Sequence, residues 1–309
     1  MLSVCFVCAT KDRPVDLRRM LTSLADQTRR PDRVIVVDSS GTPVHSVVNE
    51  FNEKLRVEYV HHWPPSASAQ RNVGVKMALS DADLIGFIDD DAVLELDALE
   101  KMLEVWNQAP SDLGGCSFNM ENHPVQAFPS VKRSWLPSAI GLYDAEAGRV
   151  APSGWQSMIG VVSRTTYVDW LPSGAVLWRS EVLRQCRFDE YFDRYSYLED
   201  LDLSFTARRN WKLAVAADAL YNHYPSPARH SSSYSFGRTE VKNRLYFVDK
   251  HGLSQPRCWL GLALRMGSTA CEGLFHCDSD AFSRVFGNLT EMAAQLKFFG
   301  SSRRTLRNA

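Results

Sequence analysis

The chain has 309 residues, with 35 Lys+Arg against 36 Asp+Glu and 45% apolar residues. That balance excludes a disordered, collagen-like or low-complexity chain, and it supplies core enough for one large α/β domain or a main domain with an appendage. A formal charge of -1 also lacks the basic field of non-specific nucleic-acid binding, so no nucleic-acid partner is expected.

In chain order, β-branched runs at 3–9, 33–37, 55–60 and 84–88 alternate with amphipathic stretches at 14–27, 44–52 and 67–79. The first of these stretches carries Leu17, Met20, Leu21 and Leu24 at helical spacing, and Pro14 suits a first helical turn. Strands and helices of these lengths predict βαβ units, and hence parallel strands joined by right-handed crossovers. Ligands of such sheets bind beyond the carboxyl ends of the strands. Those ends hold Thr10-Lys11-Asp12-Arg13, Asp38-Ser39-Ser40-Gly41 and Asp89-Asp90-Asp91.

A further helix is expected over 97–108. The stretch 114–171, rich in Pro, Ser, Gly and Trp, predicts strands mixed with long loops, where specificity elements belong. Order returns at 173–178, 180–187 and 198–209, the last entered through a run of carboxylates, with a short strand at 212–216. A basic, Pro/Ser-rich loop over 225–235 precedes helices at 237–251, 258–274 and 281–299. The expected organisation is a catalytic domain over 1–225 and a helical C-terminal extension over 226–309.

The seven cysteines form no CxxC pair, so reduced thiols in a cytoplasmic setting are expected rather than a disulfide framework. The opening MLSVCFVCAT has no basic n-region, unlike a signal peptide. The apolar stretch 258–267 is about half the ~20 residues that a membrane span needs, and Arg265 interrupts it.

Three clusters carry chemistry. An apolar strand ends in Asp89-Asp90-Asp91, where three adjacent like charges repel unless cations or helix N-termini offset them. An N-cap role explains one of them; a hard divalent cation bound to substrate phosphates explains the others. Glu199-Asp200-Leu201-Asp202 opens a helix, a position in which carboxylates also simply complement the macrodipole. His223 follows a strand and is a metal ligand or an ordinary hydrogen-bonded histidine. Trp155 and Trp178 are either core residues or platforms for a sugar ring.

Taken in order, these segments resemble the inverting family 2 glycosyltransferases with the GT-A fold. The likeness spans residues 3 to about 225. It includes the opening strand and the Thr10–Pro14 turn, VIVVDSS, Ala69-Gln70-Arg71-Asn72-Val73-Gly74, IDDD, SGAVLWRSEVL, FDEYF and LEDLDLSFTARR. The resemblance implies an α/β fold with a mostly parallel central sheet flanked by helices. It implies a nucleotide-sugar pocket lined by Thr10, Arg13, Asp38, Arg71 and Asp89, and a Mn²⁺ or Mg²⁺ ion on Asp91 with His223 as a second ligand. Asp200 falls at the family's catalytic base, with Glu199 and Asp202 as close rivals, because one helical residue rotates a side chain by about 100°. The implied donor is a nucleoside-diphosphate sugar, UDP- or dTDP-linked, and the implied acceptor a cell-surface glycan or lipid-linked glycan.

Two further expectations concern the C-terminal part. The basic region 225–238 is a candidate lid over the diphosphate, and the apolar, basic C-terminal helices are a candidate surface for peripheral docking at the inner face of the plasma membrane. The competing functions are a sugar-phosphate nucleotidyltransferase, which needs a Gly-rich phosphate loop after the first strand, and a non-catalytic nucleotide-sugar-binding relative.

Overall fold

The computed structural model describes residues 2–123, 135–193, 196–225 and 232–307. The opening βαβ pattern is present: β1 (Val4–Thr10), α1 (Pro14–Ala25), β2 (Arg33–Asp38), α2 (His45–Asn49), β3 (Val57–His61), α3 (Ala67–Ala78) and β4 (Leu84–Ile88). A three-residue strand that the sequence pattern does not reveal, β5 (Ala92–Leu94), precedes α4 (Ala98–Gln108). The loop-rich middle contributes β6 (Leu113–Met120), α5 (Trp135–Ala139) and β7 (Thr166–Val168). Then come β8 (Ala175–Arg179), α6 (Ser180–Gln185), α7 (Glu199–Ala207) and β9 (Lys212–His223). Three long helices close the chain: α8 (Ser233–Lys250), α9 (Gln255–His276) and α10 (Ser279–Arg307). Residues 226–231 of the candidate lid lie outside the described residues.

The strands form one mixed sheet in the order β3-β2-β1-β4-β8-β6-β9-β5, with β7 also on β9. Strands β1, β2, β3, β4, β6 and β9 run one way, and β5, β7 and β8 run against them. Apolar residues of the first strands alternate between two cores, one on each face. Val4, Phe6, Cys8, Val34 and Val36 pack with α1 and α4. Val7, Ile35, Val37 and Phe87 pack with α3, α6 and α7. This period-2 alternation is what a strand buried on both faces requires.

The order 3-2-1-4 reverses direction between β1 and β4. Chain connections therefore leave a crevice beyond the carboxyl ends of these two strands, where Thr10 and Asp89 emerge. All cysteines are free. Trp178 and Trp155 are both buried core residues, at 2% and 7% exposure. Among the described residues, no helix is long and apolar enough to cross a membrane.

The chain divides into two compact units. The first holds the sheet and its flanking helices; the second comprises residues 135–145, 150–156 and 232–307 among those described. Within the second, Trp155 lies against Gly261 and under the Arg244 guanidinium, 4.3 Å from ring centre to the cation.

Helix α3 is seated on β1 by a close approach: a Cβ at Gly74 would overlap the Val7 side chain. Gly74→Ala therefore sets two effects against each other. Relief of glycine's backbone entropy would stabilise by ~0.5–1 kcal/mol, and overpacking costs ~1–3 kcal/mol. The expected outcome is net destabilisation, read as a lower urea midpoint; a raised midpoint would show that α3 does not sit hard on β1.

Candidate active site

The Ala69–Gly74 motif is a hub whose side chains tie distant segments together. Ser66 caps α3, accepting from the Ala69 N–H at 3.4 Å. Gln70 donates to the carbonyls of Thr10 and Val37 at 3.0 and 2.8 Å, holding the ends of β1 and β2 side by side. Asn72 donates to the Phe188 carbonyl and accepts from the Phe188 N–H at 2.9 and 3.1 Å. Ser68 donates to the Phe192 carbonyl at 3.0 Å.

Arg71 is the centre of this hub. It is 6% exposed, with Nη2 donating to Asp89 Oδ1 at 2.9 Å and Nη1 to Glu199 Oε1 at 2.6 Å. Burial opposes its charge, and the Glu199 and Asp89 carboxylates outweigh that and raise its pKa. The acidic groups near position 90 and those near position 200 thus meet across one guanidinium.

The three aspartates diverge. Asp90 turns inward, accepting from Thr10 Oγ1 at 2.7 Å and Arg13 Nη1 at 2.9 Å. Burial pushes its carboxyl up to about 6, against these partners. Asp91 accepts from Arg13 at 2.9 Å and lies 2.9 Å from His223 Nε2. Burial acts to raise Asp91, but the His223 and Arg13 contacts prevail and hold it below the ordinary Asp value. The Asp91 hydrogen bond in turn raises His223. Asp89 stays half-exposed, its carboxyl raised by burial against the pull of Arg71.

Sheet register explains how His223 arrives. The short β5 pairs antiparallel with β9, setting Ala92 opposite His223, and Tyr224 N–H donates to the Asp91 carbonyl at 2.9 Å. Asn122 brackets the His223 backbone with two further hydrogen bonds at 2.7 and 2.9 Å. Asp89, Asp91 and His223 each present one ligand atom, all within 4.8 Å of one another. Two carboxylate oxygens and one imidazole nitrogen form a donor set that suits a divalent ion such as Mn²⁺.

The sequence reading did not place Asp89 with the metal ligands, and it overlooked Tyr221. The phenol is fully buried and its hydroxyl has no hydrogen-bond partner among the described residues. Gly174 leaves open the space beside it: a Cβ there would lie 3.1 Å from the Tyr221 hydroxyl and 3.8 Å from Asp89 Oδ2. An orphaned phenol next to two carboxylates marks a cradle that another group completes. Strand periodicity puts Tyr221 on the face of His223, a signal hidden by expecting that strand to end at 216.

Asp38 is not brought into the cluster. It is fully buried, and its oxygens accept from Ser40 N–H and hydroxyl, Val44 N–H and the Tyr59 hydroxyl. About four acceptor positions exist on a carboxylate, so the loop after β2 and Tyr59 of β3 together use them all. That loop is tied to the turn after β1, because Asp12 accepts from Gly41 N–H at 2.9 Å and donates its own N–H to the Ser40 hydroxyl oxygen at 2.7 Å.

At the entry to α7, Ser196 and Leu198 both have left-handed backbones, with φ of 53° and 78°. A branched residue at such a φ costs on the order of 1–3 kcal/mol and persists where its surroundings hold it. Here Leu198 is buried and Ser196 Oγ accepts from the Ser68 N–H at 3.2 Å. The bend delivers three carboxylates with different surroundings. Glu199 is buried against Arg71, Asp202 is buried, and Asp200 is half-exposed with Oδ1 accepting from the Leu201 N–H at 2.7 Å. Burial raises both Glu199 and Asp200, and the neighbouring Asp200 charge raises Glu199 further.

Comparison with known proteins gives a consistent picture. Residues 5–157 match the model of the family described as "Glycosyl transferase family 2". EpsJ of Bacillus subtilis (strain 168), described as an uncharacterized glycosyltransferase, is 24% identical over 206 residues. That alignment covers 66% of this chain and 53% of EpsJ, so the chain spans about half the length of that relative. The fold is similar to that of S. aureus TarS 1–349 in complex with UDP, with a TM-score of 0.52 and 16% identity over 96% of this chain and 92% of TarS 1–349. The TarS 1–349 complex with UDP-GlcNAc gives a TM-score of 0.53 at the same identity and coverage.

Removal of the bridging cation tests the hub. Arg71→Leu leaves the buried Glu199 and the half-exposed Asp89 without their counter-charge and is expected to cost about 3 kcal/mol of stability. Chemical denaturation reads this directly, and a loss near zero would show that the two carboxylates do not depend on Arg71.

Proposed function

Because the chain belongs to glycosyltransferase family 2, we propose that it transfers a sugar from a nucleoside-diphosphate sugar to a hydroxyl of a glycan or glycolipid, with inversion and with a divalent metal. The observation that carries this reading is the junction of Asp89, in the first acidic cluster, with Glu199, in the second, through Arg71. It sets a candidate diphosphate-metal site and a candidate base within one compact unit. UDP is the favoured nucleotide, since TarS, of similar fold, binds UDP and UDP-GlcNAc; a dTDP-linked donor is the alternative.

Asp89, Asp91 and His223 would hold Mn²⁺ or Mg²⁺. When bound, such an ion supplies Lewis-acid stabilisation of charge on the leaving diphosphate. The remaining roles belong to the chain. Thr10 and Arg13 hold Asp90 and Asp91 in place beside the nucleotide pocket. Arg71 holds Asp89 and Glu199 in place, where the resemblance implies a contact with the base or the diphosphate. Asp38 shapes the pocket wall through the loop after β2, so that loop's exposed edge, rather than the carboxylate itself, faces the base.

Of the three acids that open α7, Asp200 is favoured as general base. Glu199 is committed to Arg71 and Asp202 is buried, whereas Asp200 is half-exposed. Asp200 accepts the acceptor hydroxyl's proton as the oxygen attacks the anomeric carbon and the nucleoside diphosphate leaves from the opposite side. Burial raises its pKa without removing its access, which strengthens it as a base. The nucleotidyltransferase alternative is weaker, because the turn after β1 is not Gly-rich and its Arg13 is engaged with Asp90 and Asp91.

Asp200→Asn is expected to lower turnover of a UDP-sugar by roughly 10²–10⁴-fold while leaving donor binding intact. Turnover retained at the native rate would remove Asp200 from the role. The base must be ionised, so the native rate should fall as pH drops through a pKa above the ordinary Asp value of about 3.9. A rate profile flat down to that value would contradict the assignment.

A further inference from the structure

Two helices of the second unit, α9 and α10, expose apolar rows, and α10 buries its polar side against α8. Helix α10 meets α8 through Arg284–Glu240 at 2.7 Å, Arg238–Glu291 at 2.8 Å and Asn288, which donates to the Gly237 carbonyl at 2.9 Å. Its opposite side presents Phe282, Phe286, Leu289, Ala293 and Leu296 to solvent. These positions are spaced 4, 3, 4 and 3 residues apart. Helix α9 repeats the pattern: Leu260, Leu264, Gly267, Cys271 and Leu274 are exposed at spacings of 4, 3, 4 and 3. A surface helix of a water-soluble unit shows the reverse arrangement, with its apolar stripe inward.

A strict 3–4 spacing makes a narrow seam, the shape that receives another helix; a bilayer surface calls for a broad apolar face with a strongly basic margin. The eight exposed Leu and Phe side chains of α9 and α10 leave on the order of 700 Å² of apolar surface. Their summed area approaches the about 800 Å² that one partner gives to a standard interface.

Charge selects the occupant. A two-residue connection, Cys277-Asp278, makes α9 and α10 a helical hairpin, with Gly273 against Ala281 and Phe282. The turn end carries Asp278 and Asp280, and Arg257 and Lys297 lie toward the other end. The acidic end, next to the exposed Phe275, repels anionic headgroups. It complements the basic end of an identical hairpin laid antiparallel, as a two-fold axis requires.

We propose that the exposed faces of α9 and α10 form an interface with a second copy of this chain, its hairpin packed antiparallel across a two-fold axis. Sedimentation velocity of the full chain should then give twice the 34.9 kDa chain mass. Leu264→Glu and Phe286→Glu should each weaken the dimer roughly tenfold or more, with unchanged far-UV circular dichroism. Where either fails to fold, two exposed charged residues carry the test: Arg257→Glu and Asp278→Arg each loosen the dimer, and together they restore it. A 34.9 kDa monomer at high micromolar concentration would overturn the proposal. So would a monomer that instead co-sediments with phosphatidylglycerol vesicles through Leu264, which would assign the face to lipid.

Discussion

One buried cation holds the site together. Arg71 sits between Asp89, at the end of a central strand, and Glu199, at the start of a helix more than a hundred residues later. Burying Arg71 and Glu199 is costly, and such a pair repays its desolvation at best approximately. Its value lies in position. A guanidinium has a rigid fork of donors, so it fixes the direction as well as the distance of each carboxylate. Lysine, a point charge on a flexible stem, would hold neither orientation.

The surrounding structure serves that placement. Gly74 lets α3 approach β1 closely enough for Arg71 to reach the strand ends, and Gln70 locks those ends together. Asn72 and Ser68 secure the segment leading to Glu199, where two left-handed residues make the sharp turn that presents Asp200. On the other side of Asp89, the pairing of β5 with β9 carries His223 to Asp91. The strain at Leu198 and the unsatisfied Tyr221 hydroxyl both lie beside these acids, where stored strain and an open polar group are characteristic of functional sites.

Much of the fold was legible because the opening strands are buried on both faces and therefore read as unbroken apolar runs between amphipathic helices. Strand β5 was not, since three residues carry no periodicity; nor was the full length of β9, whose second half contains Asp218 and Asn222. The acidic clusters were visible as like charges with no local reason to be adjacent. Their division of labour was not. Nothing in the order Asp89-Asp90-Asp91 says that the middle residue turns inward to Thr10 and Arg13, or that Asp38 is consumed by its own loop and by Tyr59. These depend on which neighbour the tertiary fold supplies. The helices α9 and α10 were partly legible, but which side of α10 faces water is decided by the Arg284–Glu240 and Arg238–Glu291 pairs.

The central claim is that Asp89, Asp91 and His223 hold a divalent ion that in turn holds a nucleoside diphosphate. Isothermal titration of UDP into the full chain, with Mn²⁺ and again with EDTA, tests it most directly. The account predicts binding heat with Mn²⁺ that EDTA abolishes and that Asp91→Ala removes in an otherwise folded protein. Equal UDP binding in EDTA, or an Asp91→Ala variant that binds UDP and Mn²⁺ like the native chain, would contradict it.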